Sequence, residues 1–323
     1  MKHAKWLRRI GASLIAAFTA LVLLDSFVIE RGYTAAQSAE SVLFPAAAAK
    51  QESAAQKTLT PLAASCAAEE EEESGSLVLP ADAKLLGKYA AEDVTIKLYT
   101  FRRDDTQIYA ADVCLGSVRS LKTAFADGVY GRNVTDKTSS IAAEAGAALA
   151  INGDFYGARE SGLVIRNGVL YRASAAEGEL LVIYADGRFA ILSAEETSAE
   201  ELLADGAWQV LSFGPGLVEN GELSVSAGEE VGRAMASNPR TAIGQIGEGE
   251  YLFLVSDGRT DESRGLSLKQ LASLLAELGC REAYNLDGGG SSTMVFLGEV
   301  VNKPTTNGRK ISERSVSDIV YVG

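Results

Sequence analysis

Apolar and polar residues alternate over short stretches through most of residues 81–323, and turn-forming residues separate these stretches. Such alternation is typical of β-strands with one buried face. Asn-Gly or Asp-Gly pairs between alternating stretches predict tight hairpins at 167–168, 186–187 and 220–221. Further strands are predicted at 94–101, 107–115, 147–152, 209–213, 241–246, 251–256, 282–286, 294–297 and 318–322. The sheets should therefore be largely antiparallel or mixed.

Helices are fewer, and the clearest is predicted at 267–278. Ser267 is its N-cap, five leucines share one face, and Gly279 stands where a helix-terminating glycine belongs. A second helix is predicted at 139–145. Both helices lead into strands that end in polar residues, which would place reactive groups at a sheet edge. The pattern predicts an α+β fold, with mixed α/β character and a few packed helices, in a single globular domain over residues 81–323.

The first 80 residues have a different composition from the remainder. Four Lys and Arg residues within 1–9 precede an apolar run at 10–29, which predicts a signal peptide or membrane anchor in residues 1–30. Residues 31–80 are rich in alanine and contain an unbroken glutamate block at 69–73, so a disordered stalk is expected there. The domain is then exported to the extracytoplasmic face of the membrane, either anchored through residues 10–29 or secreted.

Charge and cysteine content narrow the possible functions. The net charge of −13 argues against nucleic-acid binding, which needs clustered Lys and Arg. The three cysteines, Cys66, Cys114 and Cys280, are too few and too scattered for a disulfide framework or a thiolate zinc site. Cys114 and Cys280 could form a disulfide if the fold brings them together.

The single histidine of the chain is His3, which precedes the predicted membrane segment. A Ser-His-Asp or Cys-His nucleophile, a histidine zinc site and a histidine general base are therefore excluded for the folded domain. Its chemistry must come from carboxylates, arginines, hydroxyls, amides, lysine, tyrosine or an oxygen-ligated metal.

Residues 285–293 read NLDGGGSST, and no ordinary core strand needs three consecutive glycines between a carboxylate and three hydroxyl residues. Glycine allows positive φ and close backbone approach, and N–H groups released by such a turn can converge on an anion. Asp287, Ser291, Ser292 and Thr293 add acid and hydroxyl groups beside them. The alternative interpretation is a tight turn with a capping aspartate.

Three further polar clusters stand at the ends of apolar runs. They are NGDFYG with Asn152 and Asp154, NPRTAIG with Arg240, and SDGR with Asp257 and Arg259. Each alone is equally typical of a structural turn, but acids and amides repeated at strand ends favour a site. Paired carboxylates permit glycoside chemistry, and arginine binds phosphate with forked hydrogen bonds. Calcium or magnesium on Asp154, Asp257 or Asp287 is compatible with these ligands, although no EF-hand spacing is present and no cofactor is required.

Seven motifs of the chain resemble, in order, those of the phosphodiester glycosidase family. They are AINGDFYG (150–157), GLVIRNGVLYR (162–172), SFGPGLVENG (212–221), NPRTAIG (238–244), SDGR (256–259), NLDGGGSSTM (285–294) and VNKPTTNGRKISERSVSD (301–318). The resemblance spans about residues 92–323. It implies a mixed α/β fold and hydrolysis of a sugar 1-phosphodiester at its anomeric carbon, with release of free sugar. Exported bacterial members are often exopolysaccharide-related, which implies a role in cell-envelope or exopolysaccharide metabolism.

The resemblance also implies a set of site residues. The catalytic candidates are Asp287, Asp154, Asp257 and Glu313. The substrate-binding candidates are Asn152, Arg240, Arg259, Asn285, Gly288, Gly289, Gly290, Ser291, Ser292 and Arg314. We expect Asp287 or Asp154 to attack the anomeric carbon or activate water, while Arg240 and the backbone of 288–291 hold the phosphate.

Two other functions are compatible with these residues. One is a cell-wall module that binds glycan without hydrolysing it. The other is a metal-dependent phosphodiesterase that cuts the P–O bond and leaves a sugar phosphate, whereas the glycosidase leaves free sugar. The identity of the product, if any is released, distinguishes the glycosidase, the glycan-binding module and the phosphodiesterase.

Overall fold

The computed structural model of the protein describes residues 76–225 and 237–323, which fall in a single compact unit. These residues form eighteen strands and three α-helices. The helices are α1 (Thr138–Ala145), α2 (Ala199–Ala204) and α3 (Leu268–Glu277). The strands are β1 (Lys84–Ala91), β2 (Val94–Arg103), β3 (Thr106–Leu115), β4 (Leu121–Phe125), β5 (Leu149–Asn152), β6 (Leu163–Arg166), β7 (Val169–Ala173), β8 (Glu179–Tyr184), β9 (Phe189–Ser193), β10 (Ala207–Leu211), β11 (Gly216–Glu219), β12 (Glu222–Leu223), β13 (Arg240–Gly247), β14 (Glu250–Ser256), β15 (Glu282–Asn285), β16 (Met294–Phe296), β17 (Glu299–Val300) and β18 (Asp318–Val322).

The strands form three sheets, and every pairing between described strands is antiparallel. Sheet 1 has the strand order β1-β2-β3-β14-β13-β15-β11-β12. Sheet 2 has the order β7-β6-β10-β8-β9, and sheet 3 the order β17-β16-β5-β18-β4. The antiparallel arrangement and the few helices agree with the sequence-based prediction.

The three sheets share one hydrophobic core, to which sheet 1 contributes Ile96, sheet 2 contributes Leu181 and sheet 3 contributes Ile151. The outer face of each sheet is covered by one short helix: α3 covers sheet 1, α2 covers sheet 2 and α1 covers sheet 3. Since helices serve only as covers, the fold is richer in β-structure than the predicted α+β class implies. Our prediction of the fold class was therefore correct only in part.

The predicted leader, residues 1–30, and the predicted stalk up to residue 75 lie outside the described residues. Residues 76–80 are described, and Leu77 and Leu79 pack on the outer core of sheet 1. No helix in the described ranges is long and apolar enough to span a membrane. The thiol of Cys280 is buried and free, so the disulfide between Cys114 and Cys280 is not formed.

Residues 286–293 connect β15 in sheet 1 to β16 in sheet 3, and we call this connection the glycine loop. It therefore crosses between two sheets. Strand β5 ends at Asn152 in sheet 3, where it pairs with β18. The polar residues after β5, the glycine loop and the start of β18 thus meet at one edge of the sheets.

Candidate active site

The glycine loop packs too closely against its neighbours for side chains at two of its three glycines. A Cβ on Gly290 would lie 2.4 Å from Thr306 Oγ1, and one on Gly288 would lie 3.0 Å from the Pro239 carbonyl oxygen. Gly289 has a φ of +62° and donates its N–H to the same Pro239 carbonyl over 2.8 Å. In the described part of the chain, the N–H groups of Gly288 and Gly290 make no hydrogen bond. Two backbone donors of the loop therefore have no partner among the described residues.

Asp287, Ser291 and Arg314 form one hydrogen-bonded unit on this loop. The Ser291 hydroxyl donates to Asp287 Oδ2 over 2.5 Å, and Arg314 Nη2 donates to the same oxygen over 2.9 Å. Arg314 also donates to Ser291 Oγ, from Nε over 2.9 Å and from Nη2 over 2.6 Å. Asp287 Oδ1 accepts no hydrogen bond from the described residues. The carboxylate is thus fixed through one oxygen, and the other can meet a ligand.

The unit faces a narrow cleft of about 60 Å³. The walls of the cleft are formed by Asn133, Thr135, Asp154, Phe155, Gly157, Ala158, Asp287, Arg314, Ser315, Val316 and Ser317. The side chain of Asp287 is 11% exposed and that of Arg314 is 41% exposed. A larger surface groove of about 280 Å³ lies beside α3, but none of the predicted site residues lines it. The cleft is therefore the candidate active site.

Asp154 belongs to a buried ion triad with Arg166 and Asp318, whose three side chains are at most 1% exposed. Arg166 Nη2 lies 2.9 Å from Asp154 Oδ2 and 2.9 Å from Asp318 Oδ2. Asp154 also accepts the N–H of Tyr156 on Oδ1 over 2.9 Å and that of Ser212 on Oδ2 over 2.8 Å. Both oxygens of the Asp154 carboxylate are therefore occupied inside the protein.

Burial raises the pKa of Asp318 to about 7, although the neighbouring Arg166 charge acts in the opposite direction. Neither Arg166 nor Asp318 was among the residues predicted from sequence. The available signal was a charged residue within or beside an apolar strand, since Arg166 ends LVIR and Asp318 begins DIVYV. A charge in such a place requires a partner when the strand is buried.

Gly153 connects this triad to Asp287. A Cβ on Gly153 would lie 2.3 Å from Asp318 Oδ1, so the Asp318 carboxylate packs directly on the glycine backbone. The N–H of Gly153 donates to the Asp318 carbonyl over 2.9 Å, and its own carbonyl receives the N–H of Asp287 at 3.4 Å. The negative charge of Asp287 also contributes to the raised pKa of Asp318. The triad thus lies directly behind the Asp287 backbone.

Asn152 is fully buried and, through its hydrogen bonds, connects the glycine loop to sheets 1 and 3. Its Nδ2 donates to the Asp287 carbonyl over 2.6 Å, and its Oδ1 accepts from the Thr241 hydroxyl and the Thr293 N–H. Asn285 donates from Nδ2 to the Gly214 carbonyl over 2.7 Å. Neither amide lines the cleft. Both stabilise the backbone on which the cleft residues are mounted.

Arg240 and Arg259 lie against the glycine loop, outside the cleft walls. Arg240 is buried, donates from Nε to the Leu266 carbonyl, and has its Cδ 4.0 Å from the Cβ position of Gly288. Arg259 donates to Asn238 Oδ1 and to the Thr306 carbonyl, with Nη2 2.9 Å from the Cβ position of Gly289. Burial and, secondly, the charge of Arg314 lower the pKa of Arg259. The loop therefore has concentrated positive charge beside it.

The other two predicted acids do not line the cleft. Asp257 accepts the N–H of Lys303 over 2.8 Å, and burial raises its pKa. Glu313 accepts the N–H and the hydroxyl of Ser139 over 2.9 and 2.6 Å, in the first turn of α1. Ser292 is also fully buried, away from the cleft walls. Of the four predicted carboxylates, the structure brings Asp287 and Asp154 together.

The metal hypothesis depends on whether several ligands converge. Within residues 76–225 and 237–323, no group of three or more His, Cys, Asp or Glu residues is arranged to hold a metal ion. The Asp154 carboxylate, one of the proposed calcium or magnesium ligands, is paired with Arg166 instead.

The structure thus combines an antiparallel β-fold with a carboxylate and several arginines beside a glycine loop. A sequence profile of the phosphodiester glycosidase family matches residues 145–323, which contain Asp154, Asp287 and Arg314. The chain belongs to this family of hydrolases.

Several proteins are similar to the chain in sequence. The SPbeta prophage-derived uncharacterized protein YomE of Bacillus subtilis is 32% identical over 165 residues, which are 50% of this chain and 25% of that protein. N-acetylglucosamine-1-phosphodiester alpha-N-acetylglucosaminidase of Bos taurus is 31% identical over 176 residues, 50% of this chain and 33% of that protein. The matched regions thus span a third or less of these relatives.

A solved structure shows the same fold. It is the catalytic domain of zebrafish N-acetylglucosamine-1-phosphodiester alpha-N-acetylglucosaminidase, described as auto-inhibited by its pro-peptide. The match has a TM-score of 0.58 at 22% identity and covers 74% of this chain and 87% of that domain.

Proposed function

We propose that this protein hydrolyses a sugar 1-phosphodiester by cleaving the bond between the anomeric carbon and the bridging oxygen. The products are free sugar and a phosphate monoester. The observation that carries this proposal is the unpaired Oδ1 of Asp287, in a cleft that also contains the guanidinium of Arg314. Membership of the phosphodiester glycosidase family supports the same reaction.

The chemistry needs a carboxylate within reach of the anomeric carbon and positive charge at the phosphate. Asp287 Oδ1 either attacks this carbon, forming a glycosyl ester that water then hydrolyses, or accepts a proton from the water that attacks it. In both routes the phosphate leaves with the electron pair of the broken C–O bond, while Oδ2 stays fixed by Ser291 and Arg314. The departing phosphate is a good leaving group, so the site needs no strong general acid. Arg314, which lines the cleft, stabilises the phosphate charge by direct contact, and Arg259 adds positive charge from beside the glycine loop.

Asp154 has a different role in this proposal. Its side chain is enclosed and both oxygens are paired, so it cannot approach a sugar without breaking the contact with Arg166. We therefore assign the attack to Asp287 and the shaping of the residue 152–158 turn to Asp154. Arg240 contributes positive charge beneath Gly288.

The proposed setting is cell-envelope or exopolysaccharide metabolism outside the cytoplasm. The apolar run at 10–29 after four cations supports export, and the acidic composition suits a soluble domain acting on glycans rather than nucleic acid. The phosphodiester-linked sugar would then belong to an envelope polymer or its precursor.

The test is an assay of product identity with a chromogenic sugar 1-phosphodiester. The wild-type protein should release free sugar and a phosphate monoester, and Asp287→Asn should reduce turnover by about a thousandfold or more. Asp186→Asn is the matched control, because Asp186 is exposed and pairs with Arg188 on its own hairpin.

Each alternative function gives a distinct result in this assay. Release of sugar phosphate that stops when divalent cations are chelated would identify a metal-dependent phosphodiesterase. Tight glycan binding without any released sugar would identify a binding module. Near-normal hydrolysis by a folded Asp287→Asn variant would exclude the proposed role of Asp287.

A further inference from the structure

The ring of Phe155 is 43% exposed although it lies in a cleft whose other walls are mainly polar. Its backbone is firmly held, since Tyr156 donates its N–H to the Asp154 carboxylate and Ala158 donates to the Phe155 carbonyl. The next residue, Tyr156, is buried and stacks on Tyr130 with 5.3 Å between ring centroids. A rigid turn with an aromatic support therefore presents a single exposed ring to the cleft.

Polar groups surround this ring. Asn133 and Thr135 are exposed, line the same cleft, and belong to a loop that is anchored by the Asn133 N–H to the Gly157 carbonyl over 3.0 Å. Ser317 also lines the cleft and packs closely on Gly157, because a Cβ added to that glycine would lie 2.2 Å from the Ser317 hydroxyl oxygen. The cleft thus combines one apolar flat surface, several amide and hydroxyl groups, and the charged pair of Asp287 and Arg314.

We propose that the Phe155 ring is the platform on which the sugar ring of the substrate lies, at the open mouth of the cleft, with the phosphate at the exposed part of Arg314. This inference rests on the proposed function. A pyranose has faces of C–H groups bordered by hydroxyls, and the negative face of an aromatic ring attracts such C–H groups. Asn133 and Thr135 hydrogen-bond the hydroxyls at the edge of the sugar. Stacking would hold the anomeric carbon in place for Asp287 Oδ1.

The experiment separates the sugar contact from the phosphate contact. Phe155→Ala should raise KM for a sugar 1-phosphodiester about tenfold and leave competitive inhibition by inorganic phosphate unchanged. Phe155→Trp should restore KM, and Phe155→Leu should not, because a flat ring rather than apolar area is required. Leu223→Ala is the control, since Leu223 is 50% exposed on β12 and does not line the cleft.

Binding of free sugars keeps this inference testable if the hydrolysis proposal fails. A panel of N-acetylglucosamine, glucose, galactose, mannose and rhamnose is titrated into wild-type protein and Phe155→Ala, with ring-current shifts of the sugar protons measured by NMR. We expect such shifts for at least one sugar with the wild type and their loss in Phe155→Ala. Absence of binding by every sugar, unchanged binding by Phe155→Ala, or full rescue by leucine would each overturn the platform.

Discussion

Arg314 and Asp287 make an asymmetric contact, because Nη2 of the arginine donates to Oδ2 of the aspartate over 2.9 Å, whereas Oδ1 has no partner within residues 76–225 and 237–323. The same guanidinium also fixes Ser291, which donates to the same Oδ2. Asp287 is therefore held in orientation without losing its reactive oxygen. The half-exposed arginine keeps surface available for a phosphate.

Replacement of Arg314 by lysine should separate charge from geometry. Lysine keeps the positive charge but cannot contact Ser291 and Asp287 with two nitrogens, so kcat/KM should fall about 10- to 100-fold while the thermal midpoint changes little. Arg309→Lys is the matched control, since Arg309 is exposed in the same segment and does not line the cleft. Equal activities of the two variants would contradict a geometric role of Arg314.

Ser291 and Ser292 are adjacent buried serines with different expected roles. Ser291 Oγ donates to Asp287, so Ser291→Ala should lower kcat about tenfold or more by loosening the carboxylate. Ser292 Oγ is buried and has no hydrogen-bond partner among the described residues, so Ser292→Ala should leave kcat near the wild-type value. Steady-state kinetics of both variants check this, and a larger loss in Ser292→Ala would favour its predicted substrate contact instead.

Much of the fold follows from local sequence patterns. The three Asn-Gly and Asp-Gly hairpins, the buried strands and the capped helix α3 are formed as predicted, because their turns and apolar periods are set by neighbouring residues. Strands β1, β4 and β17 were not predicted, and each lies at the edge of its sheet; β1 has no buried residue. Helix α2 was not predicted because it has only six residues. Whether such edge strands and short helices form depends on the segments with which they pair or pack, and these are distant in sequence.

The site was predictable only in part. The glycine loop, Asp287 and Arg314 were all candidates from sequence, but Glu313 and Arg314 are neighbours with separate tasks. Glu313 binds the first turn of α1, whereas Arg314 binds Asp287. Which way consecutive side chains of an irregular segment point depends on tertiary contacts, which no local pattern encodes.

Asp318 should make stability depend on pH. Its pKa is raised to about 7 in the folded protein from an ordinary value near 4. The folded state therefore binds more protons than the unfolded state between these values, and this contribution to the free energy of unfolding falls as pH rises from about 4 to 7. The slope for one group is at most about 1.4 kcal/mol per pH unit.

Asp318→Asn should lack this pH-dependent contribution to the free energy of unfolding, because asparagine does not titrate. Denaturant titrations at pH 5, 6, 7 and 8 should show the difference in unfolding free energy between wild type and variant changing in favour of the variant from pH 5 to about 7 and levelling off by pH 8. Asp82→Asn provides the control, because Asp82 is exposed. A constant difference between Asp318→Asn and wild type over this range would contradict the raised pKa.

Arg166 should be the most sensitive charged residue for stability. It is fully buried between Asp154 and Asp318, so Arg166→Met leaves two carboxylates enclosed without their cation and should cost about 3 to 5 kcal/mol of unfolding free energy. Arg132→Met is the control: the Arg132 and Glu160 pair lies at the surface, with the two side chains 54% and 78% exposed, and should cost less than about 1 kcal/mol.

The triple variant Asp154→Asn, Arg166→Met, Asp318→Asn tests whether unpaired charge causes the loss. It removes both carboxylate charges along with the cation, so it should recover a large part of the stability that Arg166→Met loses. Activity need not return, because the two asparagine substitutions would alter the support of Gly153 behind Asp287. If denaturant titration shows the triple variant to be as unstable as Arg166→Met, lost packing of the guanidinium would be the cause instead of unpaired charge.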